Sequence, residues 1–209
     1  MREVDSLSMK TVVFSILLLA GLTPSLTAQN AGDLPPIFNG RDFSGWVVPE
    51  PNLHWSVVDG VIVGQSDEAR KESVLRTEKS YGDFVLEFEA RWSEGADSGV
   101  FLRRPELQMQ LGISISRKID LSGSFYVGGQ EPYPVSGRAN IAGKMRGDGK
   151  WNEFRLEAKG DTFTVWLNGE QVGRFIDASY AAPAPIGLQV HQNLQMKVEF
   201  RNLRARTLE

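Results

Sequence analysis

The sequence has no cysteine and only two histidines among its 209 residues. The missing thiols exclude disulfides, thiolate metal sites and cysteine nucleophiles, so stability has to come from packing. With so few histidines there is no H-x-H or H-E-x-x-H spacing, and spacing alone gives no metal site. Neither sign of charge dominates. The formal net charge is −3, and it is unchanged without the first 28 residues, because Arg2 and Lys10 cancel Glu3 and Asp5. A mildly acidic, mixed surface lacks the footprint of a nucleic-acid or anionic-membrane binder. Convincing helical periodicity, internal repeats and low-complexity tracts are absent too.

One apolar run stands out, and it is short. Lys10 is followed by "TVVFSILLLAGL" and then by the small, polar "TPSLTAQN". This is the layout of a secretory signal peptide, with cleavage near Ala28 and Met9 as an alternative start. An uncleaved N-terminal anchor is the other reading of the same flanks. No cysteine follows the run, which disfavours a lipoprotein. The expectation is a signal peptide over 1–28, a linker over 29–36 and a domain over 37–209, exported to the periplasm or outside the cell. No stable membrane span is expected after cleavage. The remaining chain, about 180 residues, suits one domain with a sizeable core.

What is present is strand after strand. "HWSVVDGVIVGQ" holds two short runs around Asp59-Gly60, a hairpin dipeptide. In "DFVLEFEARW", Phe84, Leu86, Phe88, Ala90 and Trp92 share one side, and Val85, Glu87, Glu89 and Arg91 the other. "SGVFLRR" and "ELQMQLGISI" are separated by Pro105, which implies a break or an edge. "WNEFRLEAKGDTFTVWLNGEQVGRF" reads as three strands turning at Lys159-Gly160-Asp161 and Asn168-Gly169, and "PIGLQVH" and "MKVEFRNLRAR" supply two more. Short antiparallel strands with one wet and one dry face predict an all-β sandwich of two antiparallel sheets. The exception is residues 117–149, too long and too rich in glycine and proline for a tight turn. Its aromatics, Phe125, Tyr126 and Tyr133, favour an ordered flap.

Two strands attract chemical interest. In "ELQMQL", Leu107, Met109 and Leu111 form an apolar row, leaving Glu106, Gln108 and Gln110 opposite, directly after Arg103 and Arg104. In "PIGLQVH", Ile186, Leu188 and Val190 face one way, with Gly187, Gln189 and His191 on the other side. Each row alone is by default a hydrated sheet face. Solvated faces, however, favour Lys, Glu and Thr. Three glutamines beside a histidine offer fixed donors and acceptors with little charge, which suits sugar hydroxyls. The unperturbed pKa of an imidazole lies near working pH, which makes His191 a candidate for a functional role, whereas His54 in "NLHWSVV" reads as a turn residue.

Other motifs are weaker. Glu87 and Glu89 resemble the carboxylate pair of a retaining glycosidase, but their row continues into Arg91 and reads as a solvated outer face. "GDGK" at 147–150 lacks the serine or threonine and the spacing of a phosphate loop, and "DFSGW" is no nucleophile elbow. Trp92 falls on a core row and Trp46 at an end of the sandwich; stacking on a sugar is the alternative for either.

"IFNGRDFSGW", "YGDFVLEFEARWSEGADSGVFLRR", "ELQMQL", "GKWNEFRLEAKGDTFTVWLNGEQV" and "APIGLQVHQNLQMKVEFRNLRAR", in that order, resemble the blocks of the 3-keto-disaccharide hydrolase family. The likeness runs from about Ile37 to the C-terminus. It implies a concanavalin A-like, or laminarinase-like, jelly-roll and hydrolysis of glycosides whose sugar carries a ketone at C3. Two departures stand out. The family's strand continues as "EVQILD" where this chain reads "ELQMQLGIS", and Gln192 replaces a frequent glycine after the final histidine.

The implied chemistry starts from the acidity that a C3 ketone gives the C2 hydrogen. A base removes it, the enolate expels the group at C1, and water adds to the unsaturated product. The resemblance implies His191 or Glu106 as the base and Arg103 on the enolate, with Gln108, Gln110, Gln189, Arg104 and Tyr126 holding the sugar. Direct displacement with Glu106 as general acid is the alternative route. No metal ligand is assigned, and a divalent cation stays open as a cofactor. The expected partner is a carbohydrate, a 3-keto-glycoside, with a non-catalytic glycan-binding module as the competing function.

Overall fold

The structure is a computed structural model describing residues 34–147 and 149–209. The expected signal peptide and residues 29–33 of the expected linker lie outside the described residues. Leu34 is buried, and the Pro35 carbonyl accepts a hydrogen bond from Ala205 N at 3.0 Å, so this end of the linker packs with the sandwich.

Two antiparallel sheets face each other. The first runs β1 (Trp46–Val47), β4 (Ser73–Tyr81), β13 (Ala184–Val190), β6 (Asp97–Arg103), β7 (Leu107–Ser114) and β8 (Ile119–Asp120), with β9 (Phe125–Tyr126) also paired to β7. The second runs β12 (Glu170–Ile176), β11 (Thr162–Leu167), β10 (Asn152–Lys159), β5 (Phe84–Trp92), β14 (Lys197–Thr207), β3 (Val61–Gln65) and β2 (Trp55–Val58). This is the all-β sandwich anticipated from the alternating pattern, and the jelly-roll that the family resemblance implied.

Period-two burial builds the core between the sheets. Val100 and Leu102, Leu107, Met109 and Leu111, and Ile186, Leu188 and Val190 are all fully buried from the first sheet. Phe84, Leu86, Phe88, Phe154, Leu156, Phe163 and Val165 meet them from the second, and Phe88 stacks on Phe154 at 5.2 Å. Trp92 packs at the margin of that cluster, and Trp46 is buried, with its indole N–H on the Ile37 carbonyl at 2.9 Å. Both tryptophans serve the core.

β4 is the strand that the sequence hides. Its buried row is Ser73, Leu75 and Thr77, so hydrophobicity barely alternates, yet it sits between β1 and β13. The 117–149 segment is an ordered flap in the residues described. Phe125 in it pairs with Met109 and stacks on Phe175 at 5.3 Å, and Val135–Gly137 forms a 3-10 turn. Among the described residues no helix is long and apolar enough to cross a membrane.

Candidate functional site

The outer face of the first sheet carries the polar rows. Backbone register sets Arg76 opposite Gly187, Gly187 opposite Phe101, Phe101 opposite Gln108 and Gln108 opposite Tyr126. The next line on the same face pairs Val74 with Gln189 and Gly99 with Gln110. The two glutamine strands flank β6, so a residue there decides whether their amides meet. Gly99 is that residue. A Cβ at this position would lie 1.8 Å from Gln108 Nε2, so only glycine lets Gln108 lie across β6 to reach Gln189.

The amides form two hydrogen-bonded chains. Gln108 Nε2 donates to Gln189 Oε1 at 2.9 Å and to the Ser98 carbonyl at 3.3 Å, and Gln189 Nε2 donates to Glu72 Oε1 at 2.7 Å. A carboxylate only accepts, so Glu72 fixes which way the Gln189 amide points. Gln110 Nε2 donates to Asp97 Oδ1 at 2.7 Å, while Tyr133 Oη donates to Gln110 Oε1 at 2.8 Å. Asp97 Oδ2 accepts from the Ile115 N–H at 2.8 Å. Gln108, Gln110 and Gln189 are only 6%, 1% and 4% exposed.

The sequence reading expected these amides to be open to sugar hydroxyls. Instead they are buried and partnered, because buried amides pair with one another when glycine and the flap allow it. Tyr133 supplies the cover. Burial, foremost, raises its phenol to about 12, with a smaller push from the Asp97 charge, so it stays a donor to Gln110. Tyr126 meets the Tyr133 ring edge-on at 5.2 Å. Asp97 brings an acid beside Gln110 from the neighbouring strand.

His191 stands directly after β13, half-buried. Its Nδ1 lies 2.8 Å from the Gln192 carbonyl. A carbonyl can only accept, so Nδ1 is the donor in this contact; Nε2, which has no hydrogen-bond partner among the described residues, is the acceptor of the neutral ring.

Glu106 is elsewhere. It belongs to the β6–β7 turn, where Pro105 has no N–H to give the ladder, and not to the strand row with Gln108 and Gln110. Its carboxylate pairs with Arg76 Nη2 at 3.1 Å. His191 lies four residues beyond Gly187, about 13 Å along the strand, so Glu106 and His191 do not share one reacting centre.

Arg103 is a correction. A β-bulge between Phe101 and Arg103 breaks the alternation and turns this side chain inward to 2% exposure. Its Nε donates to the Gly82 carbonyl and Nη1 to the Gly160 carbonyl, both at 2.7 Å, and Nη2 meets Asp83 at 2.7 Å. The guanidinium also lies over Phe163 at 5.2 Å. It ties two turns together and cannot meet an enolate on the outer face. Arg104, next to it, is exposed at the cleft beside Glu106.

The other carboxylates resolve as surface pairs. Glu87 pairs with Arg155 and Glu89 with Arg201 on the outside of the second sheet. Trp151 lies 4.6 Å from the Arg91 guanidinium and 4.2 Å from that of Arg201. His54 precedes β2, with Nε2 3.6 Å from Asp67. No three His, Asp or Glu residues gather around a common point among the described residues, so no ligand set is named for a cation. Glu72, Arg76, Asp97 and Tyr133 are the members that sequence reasoning missed. Asp97 was within reach, two residues before Gly99 on an alternating strand. Glu72 carried no signal.

A family model described as a 3-keto-alpha-glucoside-1,2-lyase-like domain matches residues 34–206. A comparison with curated protein sequences found no significant match. Among solved structures, the chain is similar to a Parabacteroides distasonis protein described as a candidate glycosyl hydrolase, at 20% identity and a TM-score of 0.64, covering 84% of this chain and 99% of that one. The carbohydrate-binding module CBM66 of Bacillus subtilis aligns at 18% identity and TM-score 0.60, over 83% of this chain and all (100%) of that one. The kappa-carrageenase of Pseudoalteromonas carrageenovora aligns at 11% identity and TM-score 0.58, over 88% and 98% respectively. At these identities the likeness is one of fold.

Proposed function

Because the chain belongs to the 3-keto-alpha-glucoside-1,2-lyase-like family, we propose that it cleaves 3-keto-glycosides by elimination, with His191 as the base. The observation that carries this reading is the placement of the His191 ring: Nδ1 lies against the Gln192 carbonyl, a contact in which it donates, and in the neutral ring that leaves Nε2 as the acceptor for a proton. In the proposed reaction Nε2 takes the C2 hydrogen and the electron pair moves into a C2–C3 enolate. That enolate re-forms the C3 ketone as the C1–O bond breaks, leaving a C1–C2 double bond. The imidazolium is the countercharge for the enolate, and C1 adjoins C2, so the same proton passes to the departing aglycone oxygen. Water then adds across the double bond and yields the free 3-keto sugar. The amide chain from Gln108 through Gln189 to Glu72 is buried, and its part in the proposal is to fix β13, the strand that delivers His191. Export of the protein, resting on the apolar run after Lys10, is part of the proposal.

The test is aglycone release from a 3-keto-glucoside, followed together with deuterium exchange at C2. His191→Ala should lose both at least a hundredfold. Wild-type turnover in that variant rejects His191 as the base. A second reading is a glycan-binding module without catalysis, supported by the fold shared with the carbohydrate-binding module CBM66. Calorimetric binding of a disaccharide, with no cleavage of oxidised or ordinary glycosides, would decide for it.

A further inference from the structure

Arg76, Arg104 and Glu106 line a cleft of about 420 Å³ at the β6–β7 turn, with Phe101 and Pro105 as apolar walls. That volume lies within the range of roughly 300–1,000 Å³ common for small-ligand sites. Two guanidinium groups, those of Arg76 and Arg104, thus share the cleft with a single carboxylate. Arg76 gives that carboxylate only one contact, at 3.1 Å, and the Glu106 side chain is 67% exposed, so the pair is weak and readily exchanged. Arg104 has no ion-pair partner among the described residues. Arg103 also lines the cleft, but its guanidinium is bound to Asp83 and to backbone carbonyls.

Arg76 is held in place for this role. Its guanidinium carbon lies 5.1 Å from the centre of the Phe101 ring. A Cβ at residue 187 would come within 3.1 Å of Arg76 Nη1, 3.3 Å of Phe101 and 2.9 Å of Val74, so Gly187 leaves the space in which the arginine lies flat. A preset guanidinium presents paired N–H donors that fit the two oxygens of a planar acid.

We propose that this cleft is a subsite for an acidic sugar residue, a uronate or a sulfated unit, displacing Glu106 from Arg76 and reaching Arg104. The proposal rests on the reading that this face takes a glycoside, and adds that one unit of it is anionic.

Calorimetry with the full mature protein at low salt tests it. The probes are a glucuronate-containing disaccharide, a sulfated disaccharide and the uncharged parent of each. At least one acidic probe should bind ten times or more tightly than its parent, and the margin should shrink in salt. Arg76→Met, which keeps the stem over Phe101, combined with Arg104→Gln should bring that ratio to within twofold of one. Glu106→Gln should raise it severalfold, an opposite sign that misfolding cannot imitate. Which probe gains separates carboxylate from sulfate. Equal binding of charged and uncharged probes by the wild type, or an unchanged ratio in the double variant, overturns the subsite. Turnover of a neutral 3-keto-glucoside alongside such a result would leave the lyase reading standing. Acid-selective binding without any turnover would do the reverse.

Discussion

Gln108 reaches Gln189 across an intervening strand, Nε2 to Oε1 at 2.9 Å, because residue 99 of that strand has no side chain. A single methyl group should therefore break the link. In Gly99→Ala the Gln108 amide has to leave its partners, and an orphaned buried amide costs about 1–3 kcal/mol. Urea unfolding should show a loss of that size, and turnover of a 3-keto-glucoside should fall at least tenfold at temperatures where the variant stays folded. Full activity in a destabilised Gly99→Ala would remove the amide chain from the site and leave it a structural device.

Arg103 predicts the opposite pattern. Its guanidinium holds the carbonyls of Gly82 and Gly160 and the Asp83 carboxylate. Arg103→Met should lower stability by roughly 3 kcal/mol, since several buried partners of a charged group lose their donor at once. Turnover per folded molecule should stay within threefold of wild type. A large fall in turnover with unchanged stability would return this arginine to the chemistry.

These two residues also mark how far the sequence can be read. Alternation located the core rows of β5, β7 and β13 residue by residue, because a half-buried strand writes its two faces into its sequence. The same rule misplaced Arg103 and Glu106. A bulge after Phe101 shifts the period by one, and Pro105 ends the ladder early; neither can be counted from composition. The glutamine rows were legible as an unusual face, but their mutual pairing was not. It depends on Gly99, on Glu72 from an unrecognised strand boundary, and on Tyr133 folding down from the flap. Such partners are set by tertiary register, and β4, which fixes that register, has buried serine and threonine where a hydrophobic pattern was sought.

Glu87 and Glu89 give a control on the other sheet. They pair with Arg155 and Arg201 on a face away from the glutamines, beside the arginine-flanked ring of Trp151. Partly exposed pairs of this kind contribute about 0–1 kcal/mol each. Glu87→Gln with Glu89→Gln should keep full turnover, and should lower the urea midpoint modestly at low salt and less at high salt. Loss of activity in this double variant, with the fold intact, would place catalytic carboxylates on the second sheet and overturn His191 as the base.

Tyr133 ties the flap to the floor through Gln110, and its ionisation offers a readout of that closure. Burial raises its phenol to about 12, above the ordinary tyrosine value near 10 in an unfolded chain. Between those two pH values the folded state keeps a proton that the unfolded state has released. The linkage therefore has a fixed sign: the contribution is complete below about pH 10 and declines as pH rises toward 12. Wild-type stability, followed by urea unfolding from pH 9 upward, should fall through that window. Tyr133→Phe has no proton to lose there, so it should be less stable than wild type at pH 8 and show a shallower alkaline decline. Parallel declines in the two proteins would mean that other groups govern the alkaline limit and that the phenol does not latch the flap.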